Sequence, residues 1–209
     1  MRLMFYMRCK IIIVLLFFSL LLSAQTIKGK DGAIDWDFIT NDSTLVVKGT
    51  GPMNDYEWSY LDVFPSYPWV CYPIKKIIIK TGVTYIGNLS FINLEGLKDV
   101  SIPNTVKCIG NSSFHLCTSL DSIHIPNGVT DIKSRAFCRC ENLKYVYISS
   151  TVRCIADNSF EECNNIERID VAQDNEYFKV VDERLYDINK KKFMTNVCKN
   201  MKKSRISTN

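Results

Sequence analysis

From Val83 onward the apolar positions of this chain recur every 23 residues. Val83, Val106, Val129 and Val152 form one column, and Ile86, Ile109, Ile132 and Ile155 the next. Phe91, Phe114, Phe137 and Phe160 follow, then Leu94, Cys117, Cys140 and Cys163, then Leu97, Leu120, Leu143 and Ile166. Val100, Ile123, Val146 and Ile169, with Ile102, Ile125, Ile148 and Val171, complete the set without an insertion. Within each unit the pattern L-x-x-[IV]-x-[IV] puts alternate side chains on one face of a short strand, which pairs in parallel with its copy on the next rung. One such coil cannot bury its own apolar face. Stacked coils bury a continuous core, so each needs neighbours. Ile74, Ile77 and Ile79 keep the same register and add a strand before the first full unit, giving about five parallel strands. The phenylalanine column falls where the chain returns behind the strand, in a short helical or 3-10 turn. Pro103 and Pro126 end two strands, as proline is excluded from strand interiors.

The repeat unit "LDSIHIPNGVTDIKSRAFCRCENL" resembles the BspA-type leucine-rich repeat, a family of secreted and surface proteins in Bacteroides-like bacteria and some mucosal protists. The resemblance covers residues 74–171 closely. It implies a mostly β repeat solenoid, a right-handed coil with short returns and β-hairpin caps at both ends, and a role in adhesion or host interaction. "WDFITNDSTLVVKGTGPMNDY" with Pro68-Trp69 is similar to the family's N-terminal segment. "VAQDNEYFKVVDERLYDINKKKF" is similar to its C-terminal unit, with Glu183 where the family's turn carries glycine. Without the family, Trp36 to Ile39 and Leu45 to Lys48 still read as a hairpin, and an open solenoid end needs covering. The expected organisation is an N-terminal β cap over 25–73, a repeat array over 74–171, a hairpin cap over 172–195 and a basic tail over 196–209.

The front of the chain, "MRLMFYMRCKIIIVLLFFSLLLSAQT", sets Arg2, Arg8 and Lys10 before an apolar run from Ile11 to Leu22 and a small Ser23-Ala24. These are the marks of a secretory signal peptide over 1–24. A membrane span needs about 20 apolar residues, so no stable span is expected after cleavage, and the chain should be secreted, periplasmic or at the cell surface. Removing three of the 26 basic residues leaves 23 against 22 acidic ones. The apparent basicity therefore gives no reason to expect nucleic acid. Seven basic residues without an acid crowd positions 190–209, the composition of a solvated tail.

Nine cysteines invite disulfides or metal. Cys117, Cys140 and Cys163, however, share a column with Leu94, and a position that accepts leucine is a packing position. Adjacent rungs set one column at about 4.8 Å, longer than the ~3.8 Å between Cβ atoms of a disulfide, so buried thiols are expected there rather than bridges. Cys71, Cys138 and Cys198 stay unassigned. No C-x-x-C occurs and only His115 and His124 are present, so no zinc site is expected. No nucleophile elbow, H-E-x-x-H or phosphate loop occurs either, so no catalytic residue, cofactor or enzyme activity is expected.

Function is then sought on the sheet's outer face. There the third and fifth positions of the strand pattern point outward, giving Lys76/Ile78, Asp99/Ser101, Ser122/His124, Tyr145/Tyr147 and Arg168/Asp170. Tyr145 and Tyr147, beside His124, Ser122, Arg168 and Asp170, form an aromatic and polar patch of the composition interfaces favour. The expected ligand is a protein, of a host or neighbouring cell. Two readings compete: a spacer or remnant of a longer array with no partner, and a surface-polymer hydrolase, which would need His124 or nearby acids.

Overall fold

The computed structural model describes residues 25–57 and 67–194, which form 16 β-strands and no helix. The expected signal peptide over 1–24 and tail over 196–209 lie outside the described residues. Strands β1 (Thr26–Asp31), β2 (Ile34–Ile39) and β3 (Thr44–Gly49) form an antiparallel meander, and the short β4 (Gly51–Pro52) follows. The repeats then lay down two strands per coil. The L-x-x-I-x-I segments give β5 (Lys76–Ile79), β7 (Asp99–Ser101), β9 (Ser122–Ile125), β11 (Tyr145–Ile148) and β13 (Arg168–Val171). The valine-to-isoleucine segments give β6 (Val83–Ile86), β8 (Cys108–Ile109), β10 (Asp131–Ile132) and β12 (Cys154–Ile155). An antiparallel sheet of β14 (Phe178–Val181), β15 (Arg184–Asp187) and β16 (Lys192–Phe193) closes the far end.

Both sets of repeat strands pair in parallel, as the 23-residue register requires. The first ladder begins β1-β2-β3-β5-β7 and continues as β9-β11-β13, and the second runs β4-β6-β8-β10-β12. The N-terminal meander is thus part of the solenoid wall: Leu45 pairs with Ile77 and Val47 with Ile79 in parallel. Between the ladders, the inward columns are sealed from water, with Leu97, Leu120, Leu143, Val106, Val129 and Val152 fully buried. The phenylalanines stack at 5.2–5.3 Å between centroids from Phe91 to Phe160. Trp69 extends this stack at one end, 5.6 Å from Phe91, with its Nε1 donating to Ser90 O.

The returns are turns, which corrects the expectation of helical segments. In one return the N–H groups of Leu89, Phe91 and Asn93 donate to Asn111, Ser113 and His115 of the next rung, while those of Ser90 and Ile92 bond back within their own turn. A helix would keep every N–H inside itself. Here every second donor is exported to hold the neighbouring coil. The alternation requires left-handed backbone at Leu89, Asn93, Ser112, Leu116, Arg135, Arg139 and Glu162, in register from rung to rung. Each costs about 1–2 kcal/mol, offset by bonds that a helix would not make between rungs.

Cysteine fills its column for a reason beyond size. The Cys117, Cys140 and Cys163 thiols are free, and they donate to the Phe91, Phe114 and Phe137 carbonyls of the preceding rung. Burial pushes the Cys117 thiol up to about 12. Cys138 and Cys140 are both buried. Cys71, unassigned from sequence, is disulfide-bonded. At the C-terminal sheet, Asp182 and Glu183 both take left-handed backbone, φ 48° and 61°, so the tight turn forms without the family's glycine.

Candidate functional site

The strands β9, β11 and β13 carry the predicted patch in two columns. Tyr145 lies between Ser122 and Arg168, and Tyr147 between His124 and Asp170. The period of two along each strand sends these side chains outward while Ile123, Val146 and Ile169 point into the core. All six expected residues are therefore brought together. Their exposure is uneven: His124, Ser122 and Arg168 are exposed, whereas Tyr145, Tyr147 and Asp170 are half-buried. The two tyrosines point outward as expected but are partly covered, because their neighbours across the ladder lie against them.

Two built features result. The His124 and Tyr147 rings stack face to face at 4.4 Å, 3° from parallel. They stack along the ladder, so their edges stand toward solvent. One row over, Asp170 is a hub: the Tyr145 hydroxyl donates to its Oδ2 at 3.0 Å, Arg168 Nε to its Oδ1 at 3.0 Å, and Arg168 Nη2 lies 2.7 Å from Oδ2. The Arg168 guanidinium also sits 5.7 Å from the Tyr145 ring centroid. The hydrogen bond from Arg168 holds the Asp170 carboxyl below the usual carboxylate range, with Tyr145 adding to the effect. Burial and then the bond to Asp170 raise the Tyr145 phenol. Charged, aromatic and hydroxyl groups are thus fixed before any partner arrives, which lowers the entropy lost on binding.

Toward the N-terminus the face changes character. Lys76 and Asp99 form an ion pair at 2.7 Å, and beside them Val46 and Ile78 pair across β3 and β5 as a half-buried apolar strip. Among the described residues no group of three or more His, Cys, Asp or Glu is placed to hold a metal ion, and no helix is long and apolar enough to cross a membrane.

Stacked parallel coils with an inward leucine-isoleucine ladder and a phenylalanine stack define a leucine-rich-repeat solenoid. Residues 65–181 match the BspA type leucine rich repeat region in six copies, and the chain belongs to that family. A leucine-rich repeat protein from Eubacterium ventriosum is 24% identical with a TM-score of 0.62, over 79% of this chain and 49% of that one. The pneumococcal vaccine antigen PcpA is 17% identical with a TM-score of 0.50, over 80% of this chain and 55% of its own. These likenesses show the shared fold, and the chain spans about half the length of both. No curated protein matches the sequence.

Proposed function

We propose that this protein is an exported, non-catalytic scaffold that binds another protein through the outer face of its first ladder. The observation that carries this reading is the prearranged patch: the His124–Tyr147 stack beside the Tyr145–Asp170–Arg168 cluster, on three consecutive rungs of a packed core. Aromatic and arginine side chains are what interface hot spots favour. The signal-like residues 1–24 support export, and the family's association with secreted and surface proteins supports a partner on a host or neighbouring cell. Residues 25–73 and 172–195 then serve as caps.

The test is a binding screen of the chain from residue 25 onward against matrix and cell-surface proteins, beside Tyr145→Ser/Tyr147→Ser, with circular dichroism as the check on folding. A partner bound by the wild type should bind the folded double variant at least about thirtyfold more weakly, the effect of losing one hot spot of ~2 kcal/mol. Equal binding by both proteins would remove the patch as the contact. Absence of any binder would favour a spacer, for which every change on this face is silent.

A further inference from the structure

The turns that follow the first-ladder strands carry an alternation of their own. At one place in the repeat the residues read Gly82, Thr105, Gly128 and Thr151, glycine and threonine on alternate coils. Each threonine grips the glycine one coil before it. Gly82 N donates to Thr105 Oγ1 at 3.2 Å and Gly128 N to Thr151 Oγ1 at 2.9 Å, while the two hydroxyls donate to Val83 O and Val129 O, both at 2.8 Å. The glycines are required. Both have positive φ, 111° and 105°, and a Cβ on Gly128 would stand 1.9 Å from Asn104 O.

At Gly128 this requirement creates a chemical liability. The residue before it is Asn127, exposed at the corner of a turn in which Val129 N donates to Pro126 O, and Asn127–Gly128 is the one Asn-Gly pair in the sequence. In such a pair the glycine nitrogen, unshielded by a side chain, gives up its proton and attacks the asparagine carboxamide carbon. The new N–C bond closes a succinimide, and the carboxamide nitrogen takes up a proton and leaves as ammonia. Water then opens the ring to aspartate or isoaspartate. Both reacting groups are held from the next coil. Thr151 occupies the Gly128 N–H, so the nucleophile keeps its proton, and the Ser150 hydroxyl donates to Asn127 Oδ1 at 3.5 Å. Cyclisation needs the two groups in one near-attack geometry, and the neighbouring coil fixes each of them separately. Gly82 follows Thr81, which has no carboxamide, so the same clamp there guards no reaction.

We propose that Asn127–Gly128 is a latent deamidation site held closed by Thr151, and that its conversion marks the parting of two coils. Water is the only co-reactant. The product carries a carboxylate, and in the isoaspartate form an added backbone methylene, in the turn that leaves β9 just after His124. A solenoid opens locally, coil against coil, so the coil of Thr151 needs only to lift for the site to react.

The test is incubation of the folded protein in neutral buffer, with conversion of Asn127 followed by peptide mass spectrometry, beside Thr151→Val and Thr151→Ser. Protein unfolded in guanidinium chloride sets the unprotected rate, and the folded wild type should convert far more slowly. Thr151→Val keeps the shape and removes the hydroxyl, and should convert about tenfold faster than the wild type, the weight of one lost hydrogen bond. Thr151→Ser should stay near the wild-type rate. Thr105→Val removes the same bonds around Gly82, so it controls for stability lost with a threonine hydroxyl and should leave Asn127 at the wild-type rate. A wild type that converts as fast folded as unfolded, a Thr151→Val no faster than wild type, or a Thr105→Val as fast as Thr151→Val would each overturn the proposal. Where circular dichroism shows that Thr151→Val does not hold the fold, hydrogen exchange in the wild type decides: the Gly128 N–H should be as protected as those of the ladders, and free exchange would refute the clamp.

Discussion

Asn175 is the residue on which the C-terminal end of the solenoid turns, and its replacement by alanine should be costly and local. The side chain is 8% exposed. Its Nδ2 donates to Ser149 O at 2.7 Å and Val152 O at 3.1 Å, and its Oδ1 accepts from the N–H groups of Tyr177 at 2.8 Å and Phe178 at 2.7 Å. One carboxamide thus ties the last complete coil to the strand that covers it. Alanine leaves two carbonyls and two N–H groups without partners. A buried polar group stripped of its bond costs about 1–3 kcal/mol, and a water that bridges some of the four groups would recover part of that. We expect a loss of about 3–5 kcal/mol in urea unfolding. Because a solenoid is stabilised rung by rung, the damage should stay at that end. Hydrogen exchange should accelerate over residues 168–193 and stay unchanged over 76–110. Asn175→Asp separates the two halves of the role: the acceptor survives, but a carboxylate now faces two carbonyls, so it should be destabilising at neutral pH and partly rescued in acid, where the protonated group can donate. A loss below about 1 kcal/mol for alanine, or protection falling evenly along the chain, would refute the view of Asn175 as an end-specific tie.

Ser113 presents the opposite case. Its hydroxyl is buried without a partner, while Ser90 and Ser159 in the same column bond to Gly87 O and Ala156 O, and Ala136 already stands there one rung on. Ser113→Ala should therefore stabilise by about 1 kcal/mol, and a lower urea midpoint would contradict this. Asp157 pairs with Lys192 at 2.6 Å and Lys190 at 3.4 Å, tying the C-terminal sheet to the last return. The bond from Lys192 lowers its pKa below 3.8, so its stabilisation is present above that value and lost as pH falls through the lower folded one. The pair is about half exposed and worth at most about 1 kcal/mol. The stability gap between wild type and Asp157→Asn should be of that size at pH 7 and vanish in stronger acid; a gap that persists would show that charge is not its cause. Native alkylation followed by mass spectrometry should label Cys154, which is exposed, well before Cys117, Cys140 and Cys163, which are buried and hydrogen-bonded. Equal rates would mean that the coils open readily.

What could be read from the chain was whatever the period repeats. Seven columns at 23-residue spacing fix the rungs, the inward strands, the phenylalanine stack and the outward pairs, because in a solenoid the register in sequence is the register in space. The features that escaped are those a column of side chains does not encode. The turn character of the returns depends on where alternate N–H groups go, and Leu89 or Arg135 carries no mark of a left-handed backbone. The second ladder of β6, β8, β10 and β12 lies in valine and isoleucine columns that were visible as core but not as strand. The β1 strand, with Gly29 opposite Trp36, has no apolar alternation to announce it. The candidate patch was legible as six residues, but the Asp170 hub was not, since it gathers a bond from position three of the preceding rung as well as from position three of its own.

The two ladders divide the work of the molecule. The inward columns and the returns supply nearly all the burial, so the cost of changing an outward residue is small and the face is free to differ from rung to rung. That freedom alone would give a surface of floppy side chains. On rungs β9 to β13 it does not, because outward groups lean on one another: ring on ring across rungs at His124 and Tyr147, and at Asp170 a phenol from the rung before and a guanidinium from its own strand on one carboxylate. The strand repeat that stacks the core therefore also sets the spacing at which rings can stack and charges can pair.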